Sequence, residues 1–216
     1  GAVQAGTGKK VYLTFDDGPS KETEKILDIL KKRQVKATFF SIGRDDAFSK
    51  KMYQRIVKEG HTLGMHSYSH QYKEIYQSMD AFQADYERIS NCLTAATGIK
   101  PLYYRFPGGS TEVTEKLQMT DLDAYFNAQG ASYFDWNVIA ANNTTDDVSV
   151  NKMVDSVMNG VALYDTSIVL MYDSVDRKMT AKSLDSILDY LLKNGYEILP
   201  IDENTIPIHH SLVIDK

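Results

Sequence analysis

The stretch that decides the fold is residues 11–19, VYLTFDDGP. Its first five residues are β-branched or aromatic apart from one leucine, which is typical of a buried strand. The strand runs into two adjacent carboxylates, Asp16 and Asp17, and a Gly-Pro pair then turns the chain. Like charges at the edge of an apolar core are unfavourable, because they repel each other and because burial disfavours both ionised forms. The pair therefore indicates either a cation-binding site or an ordinary turn with solvated acids.

Strand and helix patterns alternate along the rest of the chain. Strands are predicted at 11–15, 35–42, 61–66, 101–106, 131–139, 167–172 and 196–201, and helices after Ser20 and at 45–59, 79–97, 112–129, 148–160 and 178–194. Strands separated by helices predict an α/β fold with parallel pairing, either as an open doubly wound sheet or as a closed barrel. No G-x-G-x-x-G follows a strand, and polar groups cluster after strand ends, as in (β/α) barrels.

Length and composition narrow the class of protein. The 216 residues suit one large domain, and 43% hydrophobic residues suffice for a sizeable core. A net charge of −5 gives no bulk attraction to nucleic acid or anionic membranes, and no apolar run is long enough to span a bilayer. The single cysteine excludes an intrachain disulfide. We interpret residues 1–10 as a linker or expression remnant and residues 11–216 as one catalytic domain.

His66 and His70 lie four residues apart in HSYSH, directly after the third predicted strand. The chain has five histidines, so two at this spacing are informative, although a pair of polar loop histidines is the simpler alternative. Two imidazoles and one carboxylate leave coordination positions open for water and substrate, as hydrolytic metal sites require. This donor set favours Zn²⁺, with Co²⁺, Ni²⁺ or Mn²⁺ as alternatives.

Arg105 begins the segment RFPGG at the end of the fourth predicted strand. Taken alone, it would be a surface arginine before a turn. Together with the other motifs, a guanidinium there is expected to pair through two N–H groups with one of the two aspartates and keep it ionised. The glycines that follow Pro107 expose backbone N–H groups suited to a developing oxyanion.

The segments TFDDGP (14–19), HSYSH (66–70) and RFPGG (105–109) occur in this order, and together they resemble the polysaccharide deacetylase family, carbohydrate esterase family four. The resemblance extends from about Lys10 to Ile201. It implies a distorted (β/α) barrel with about seven parallel strands. It also implies metal-dependent removal of N- or O-acetyl groups from peptidoglycan, chitin, chitooligosaccharides or xylan.

The same resemblance implies a role for each motif residue. Asp16 matches the general base, and Arg105 matches the arginine that orients it. The metal ligands correspond to Asp17, His66 and His70. The backbone N–H of Gly108 matches the oxyanion donor.

Two segments depart from the family pattern. The family's sixth strand ends in Leu-x-His-Asp, whose histidine protonates the leaving amine while a neighbouring carboxylate tunes it. This chain has Tyr172-Asp173 there, and both are candidate catalytic residues. A free tyrosine has a pKa of about 10, against about 6.5 for histidine, so Tyr172 is poorly matched to neutral pH. After the fifth strand, Asn142 stands where the family has an aspartate that braces the arginine.

Other aromatic and imidazole groups lie outside the three motifs. Tyr103 and Trp136 are candidates for stacking on sugar rings, although aromatic residues in strands more often belong to the core. His209 and His210 lie past the seventh predicted strand, where we expect a solvated tail.

The leading hypothesis is a metal-dependent deacetylase acting on N-acetylglucosamine of a cell-wall polysaccharide, with peptidoglycan preferred by resemblance to bacterial members. An O-acetyl glycan esterase and a non-catalytic, metal-retaining glycan-binding domain remain alternatives. We expect an acetylated polysaccharide as the partner, no nucleic acid and a monomeric domain. Its expected location is extracellular or cell-wall associated, within a longer exported bacterial protein.

Overall fold

The computed structural model describes residues 8–113, 115–141 and 148–211. Eight strands are present there: β1 (Lys10–Asp16), β2 (Thr38–Ser41), β3 (Thr62–Met65), β4 (Tyr103–Tyr104), β5 (Ser132–Tyr133), β6 (Val138–Ile139), β7 (Thr166–Tyr172) and β8 (Glu197–Ile198). The helices are α1 (Lys21–Arg33), α2 (Ala47–Lys58), α3 (Tyr72–Ile75), α4 (Met79–Thr97), α5 (Ser110–Val113), α6 (Met119–Gln129), α7 (Val150–Val161) and α8 (Lys178–Lys193). None of these helices has the length and apolar character needed to cross a lipid bilayer.

The strands form one curled sheet in the order β5-β4-β3-β2-β1-β7-β6, with β8 pairing with the start of β1. Every strand pair within the described residues is parallel. The segment 132–139 reaches both edges of this sheet, because β5 pairs with β4 and β6 pairs with β7. The fold is therefore a distorted (β/α) barrel, as the sequence predicts.

The predicted fifth strand over 131–139 is wrong as one continuous element, because it consists of β5 and β6 separated by residues 134–137. Phe134 still donates its N–H to Tyr104 of β4. Asn137 binds β7 through its backbone N–H, which donates to Ile168 O at 3.2 Å, and also through its side chain. The side-chain amide donates to Thr166 O at 3.0 Å, and the side-chain oxygen accepts from Ile168 N at 2.8 Å. Side-chain bonds thus replace part of the ladder where the chain crosses from one edge to the other.

The helix predicted over 112–129 is also two elements, α5 and α6. The buried apolar residues are Val113, Leu117, Leu122 and Phe126. The step of five from Leu117 to Leu122 does not keep one face of a helix towards the core, because neighbours on a helix face lie three or four apart. By contrast, α4 has the predicted bounds, and Ser20 caps α1 by accepting the N–H of Glu22.

Side chains of β1 alternate between two cores, as strand geometry requires. Val11, Leu13 and Phe15 pack between the sheet and the helices. Tyr12 faces the barrel interior, where the second core also contains Phe40, Phe134, Ile168 and Ile201. Thr14 and Asp16 lie two and four residues after Tyr12 on the same strand. Their side chains therefore also point to the inside of the barrel.

The end of the described chain packs on the segment that closes the sheet. The His209 ring stacks on Tyr133 with centroids 3.8 Å apart, and Ile208 O accepts the N–H of Asp135. Asp135 is fully buried, and its carboxylate accepts from Ser110 N (2.9 Å), Ser110 Oγ (2.5 Å) and His210 N (2.8 Å). The expectation of a solvated tail is wrong, because buried polar groups of the closing segment bind its backbone.

Replacing Asp135 with alanine is expected to lower the free energy of unfolding by about 2–5 kcal/mol, because it leaves the buried N–H of Ser110 and the half-buried N–H of His210 without an acceptor. Urea unfolding followed by circular dichroism measures this change. Asp123→Ala, at an exposed position of α6, is the control and should change stability by no more than about 0.5 kcal/mol. A loss below about 1 kcal/mol in Asp135→Ala would show that these hydrogen bonds contribute little.

Candidate active site

Polar side chains meet at the carboxyl edge of the curled sheet. Asp16 ends β1, Tyr172 ends β7, and His66 and Arg105 directly follow β3 and β4. Parallel strands bring these four ends to one side of the barrel, which is the side where (β/α) barrels carry their active sites.

Asp17, His66 and His70 converge on one point. The Oδ1 atom of Asp17 lies 3.2 Å from Nε2 of His66 and 3.2 Å from Nε2 of His70. All three candidate ligand atoms lie within 4.8 Å of one another. The structure thus brings together the three residues that the sequence proposes as metal ligands.

Hydrogen bonding around His66 favours a cation at this point. Its Nδ1 lies 2.7 Å from the carbonyl oxygen of Arg105, which can only accept, so Nδ1 carries the proton. In the neutral imidazole, Nε2 then presents a lone pair to Asp17 Oδ1, a buried atom with no hydrogen-bond donor among the described residues. Acceptors that face one another in a buried site suit a shared cation, and the Arg105 carbonyl orients the imidazole for it. The donor set fits a divalent metal such as Zn²⁺.

The charge state of Asp17 agrees with this arrangement. Burial alone raises the pKa of a carboxyl group, but the neighbouring His66 and His70 imidazoles outweigh burial and hold the pKa of Asp17 below its usual value. Asp17 is therefore ionised at neutral pH, as a metal ligand must be.

The loop that carries both histidines is fixed by α4. Ser67 and His70 have left-handed backbone conformations, with φ of 72° and 59°, which few residues other than glycine adopt. The two carboxylate oxygens of Asp85 accept the N–H groups of Tyr68 and Ser69, each at 3.1 Å. Ser67 Oγ also accepts the N–H of His70 at 2.9 Å. No sequence motif points to Asp85, because its partners are backbone groups of a distant loop.

Arg105 is completely buried beneath Asp16. Its Nη1 donates to Asp16 Oδ1 at 3.0 Å and to Thr14 Oγ1 at 2.6 Å. Its Nε and Nη2 donate to the backbone carbonyls of Phe134 (2.9 Å) and Asp135 (3.1 Å). The expected two-pronged pair with an aspartate is therefore wrong: one nitrogen binds Asp16, because the backbone of the closing segment occupies the others.

The backbone carbonyls of Phe134 and Asp135 thus hold Arg105 in place, which is the role that the family resemblance assigns to an aspartate. Asn142, at the family's aspartate position, lies outside the described residues. The carboxylate of Asp135 turns away to Ser110 and His210, so it does not bind the guanidinium. Burial raises the pKa of Asp16, while the charge of Arg105 opposes this effect.

Residues 106–109 form a turn beside the site. Gly109 donates its N–H to Phe106 O at 2.8 Å, and Gly108 has a φ of 79°. A positive φ at the third residue identifies a type II turn, and proline is common at its second position. Gly108 carries the N–H that the sequence proposes as the oxyanion donor.

Tyr172 occupies the side of the site where the family has histidine. Its ring is half-buried, and the Arg177 guanidinium lies 4.0 Å from the ring centroid. Burial raises the pKa of Tyr172 to about 12, with further contributions from Asp16 and Asp17. The phenol is therefore a weaker acid here than in water.

Asp173 faces the turn after β1. Its Oδ1 accepts from Gly18 N at 2.9 Å and its Oδ2 from Thr23 Oγ1 at 2.6 Å. A Cβ on Gly18 would lie 2.1 Å from Asp173 Oδ2, so the glycine permits this contact. Burial raises the pKa of Asp173 to about 7. These contacts make Asp173 a support for the turn that carries Asp17.

The two aromatic candidates lie in different places. The terminal ring carbon of Trp136 would lie 3.0 Å from a Cβ on Gly109, so Trp136 adjoins the turn at the site. Tyr103 lines a cavity with His61 and Thr62, at the end of β3 opposite His66, and packs on Phe134. This placement argues against the predicted contact between Tyr103 and substrate, because the interior core separates it from the site.

Comparison with known proteins agrees with this geometry. A family model described as polysaccharide deacetylase matches residues 4–126, more than half of the chain. The chain belongs to the polysaccharide deacetylase family. The catalytic domain of peptidoglycan N-acetylglucosamine deacetylase from Eubacterium rectale superposes with a TM-score of 0.86 at 36% identity, covering 94% of this chain and 92% of that one.

Two curated relatives span nearly the whole chain. Listeria monocytogenes peptidoglycan-N-acetylglucosamine deacetylase PgdA is 33% identical over 93% of this chain and 40% of its own length. Bacillus subtilis YheN is 30% identical over 93% of this chain and 70% of its own length. The chain thus spans less than half of PgdA.

Asp85→Ala should weaken binding of Zn²⁺ by about 10–100-fold, because it releases the loop that holds His66 and His70. Isothermal titration with zinc, or competition with a chromophoric chelator, measures the dissociation constant. Glu87→Ala, an exposed change on the same helix, is the matched control and should leave it unaltered. An unchanged zinc affinity in folded Asp85→Ala would refute the role assigned to the two hydrogen bonds that Asp85 accepts from the histidine loop.

Proposed function

We propose that the protein is a metal-dependent hydrolase that removes acetyl groups from N-acetylglucosamine residues of a cell-wall polysaccharide, with peptidoglycan as the substrate. The observation that carries this proposal is the convergence of Asp17, His66 and His70 beside an aspartate, Asp16, that Arg105 holds from below. The names of the Listeria and Eubacterium relatives support the choice of substrate.

Asp17, His66 and His70 would hold the metal, with zinc as the first choice and cobalt, nickel or manganese as alternatives. When bound, such an ion polarises an acetyl carbonyl and lowers the pKa of water. The remaining chemistry falls to side chains and backbone groups of the chain.

Asp16 is the proposed general base. It lies beside the three proposed ligands, with one oxygen bound to Arg105 and the other, Oδ2, 3.7 Å from Nε2 of His66. The second oxygen is thus directed towards the space where water attacks. The buried guanidinium fixes the carboxylate, so little reorganisation is needed when Asp16 takes the proton.

Gly108 and Trp136 are proposed to contact the substrate. The N–H of Gly108 donates to the oxygen that becomes negative as water attacks the acetyl group. Trp136, beside Gly109, is placed to contact a sugar ring.

The leaving group decides between amide and ester substrates. An amine must be protonated to leave, and Tyr172, with its pKa of about 12, is a poor donor at neutral pH. An alkoxide leaves more easily, so this observation favours O-acetyl esterase activity as the second candidate function. A glycan-binding domain that retains the metal without turnover is the third.

We also propose the wider context of this domain. Residues 11–216 would form a monomeric catalytic domain of a longer exported bacterial protein that acts outside the cell or at its wall. Its proposed partner is an acetylated polysaccharide, and nucleic acid is not expected to bind.

The first test is release of acetate from N-acetylglucosamine oligomers and from O-acetylated sugars by the zinc-loaded protein. Asp16→Asn should lower the rate by at least about 100-fold while zinc content stays the same, because it removes the base and leaves the ligands. A chelator should abolish release, and added zinc should restore it. If the zinc-bound protein released no acetate from any acetylated glycan, the proposal would be contradicted. The remaining candidate would then be the glycan-binding domain without turnover.

Tyr172→His should raise the rate on N-acetyl substrates at pH 7 by about 10-fold or more, since an imidazolium with a pKa near 6.5 donates a proton readily. The gain should shrink as pH rises above about 7, because the acid form of the imidazole is lost. Tyr164→His, at an exposed position after α7, is the control. An unchanged or lower rate in folded, zinc-loaded Tyr172→His would show that Tyr172 has its own role or that another acid acts.

A further inference from the structure

A buried tyrosine holds the peptide whose N–H is the proposed oxyanion donor. The hydroxyl of Tyr76, which is 5% exposed, donates to the carbonyl oxygen of Pro107 at 2.7 Å. That carbonyl and the N–H of Gly108 belong to one peptide group. The group is trans, because the only cis peptide bond among the described residues is Gly18–Pro19. In a planar trans peptide the C=O and N–H point in opposite directions, so fixing one fixes the other.

This peptide is the one that distinguishes the two common turn types. It is the central peptide of the turn 106–109, and type I and type II turns differ by reversal of that peptide. Proline at the second position is compatible with both types, so Pro107 does not choose between them. The observed φ of 79° at Gly108 belongs to type II. In type I the Pro107 carbonyl would face the site, and the Gly108 N–H would face away.

The position of Tyr76 gives the direction of the N–H. Its ring belongs to the core between the sheet and the helices, with its centroid 6.4 Å from that of Phe106. Asp16 and Arg105 lie on the other side of the sheet, inside the barrel, where Arg105 contacts the ring of Phe40 in the interior core. The Pro107 carbonyl is thus drawn towards the helices, and the Gly108 N–H is directed towards the barrel axis.

We propose that Tyr76 is a positioning residue that locks the turn 106–109 in its type II form and so aims the Gly108 N–H at the developing oxyanion. This inference rests on the proposed function, since it needs an acyl-transfer reaction at the site. Burial raises the pKa of Tyr76, so its hydroxyl stays protonated and able to donate over the working pH range.

Tyr76→Phe tests the proposal kinetically, because it removes one oxygen and keeps the ring that packs in the core. Loss of one oxyanion donor costs about 10²–10³ in kcat, so a turn that only partly reverses should lower kcat by about 10–100-fold. KM should stay within about 2-fold, since the interaction forms in the transition state. Zinc affinity should be unchanged. A loss confined to KM, or a change in kcat below about 3-fold, would overturn the proposal.

Tyr86→Phe is the matched control. Tyr86 is 1% exposed in the same aromatic core, and its hydroxyl has no hydrogen-bond partner among the described residues. Its removal should leave kcat and KM as they are. A fall in kcat equal to that of Tyr76→Phe would show that any loss of a core hydroxyl impairs the enzyme, and would overturn the specific role of Tyr76.

A crystal structure of Tyr76→Phe gives an answer that does not depend on turnover. The proposal predicts that the Pro107–Gly108 peptide is reversed in a substantial fraction of molecules, with a negative φ at Gly108 and the Gly109 to Phe106 hydrogen bond retained. A peptide that stays entirely in the type II orientation would contradict the proposed role of Tyr76. If the wild-type protein released no acetate, the proposed function would fail, and this peptide orientation would still decide whether Tyr76 holds the turn.

Discussion

The buried guanidinium of Arg105 is the constraint on which the rest of the site depends. A cation with no exposed surface is tolerated only when it is hydrogen-bonded, and here one carboxylate, one hydroxyl and two backbone carbonyls accept from its three nitrogen atoms. The carboxylate is Asp16, and the carbonyls belong to Phe134 and Asp135 in the segment that joins the two edges of the sheet. The same contacts therefore close the barrel and orient the proposed base. The face of the guanidinium lies 4.3 Å from the centre of the Phe40 ring, which ties it to the interior core below.

The site divides into parts that different elements hold. The turn after β1 carries Asp17 and is supported by Asp173, whereas the histidine loop is supported by Asp85 on α4. The turn 106–109 is supported by Tyr76 and, through Ser110, by Asp135. Each support accepts from or donates to backbone atoms rather than to the functional side chains. Such an arrangement can keep the geometry of the site while the reacting groups remain free to change protonation state.

Much of this organisation follows from the sequence, because strand ends and short motifs are local patterns. The β-branched run before Asp16 predicts β1, and parallel pairing then predicts that His66 and Arg105 lie near it. The division of the fifth strand is not predictable in this way, because it depends on Asn137 pairing with a strand thirty residues later. The supporting role of Asp85 likewise needs the tertiary structure, since its partners are backbone N–H groups that every residue except proline carries.

Anomalous diffraction from crystals of the zinc-loaded protein tests the central claim, that adjacent aspartates have separate roles, most directly. The account predicts one peak at about 2.0–2.2 Å from Asp17 and from Nε2 of His66 and His70, with Asp16 still bound to Arg105. A peak coordinated by Asp16 in place of Asp17 would contradict the assignment of roles. No peak at this position at saturating zinc, cobalt or nickel would contradict the metal site itself.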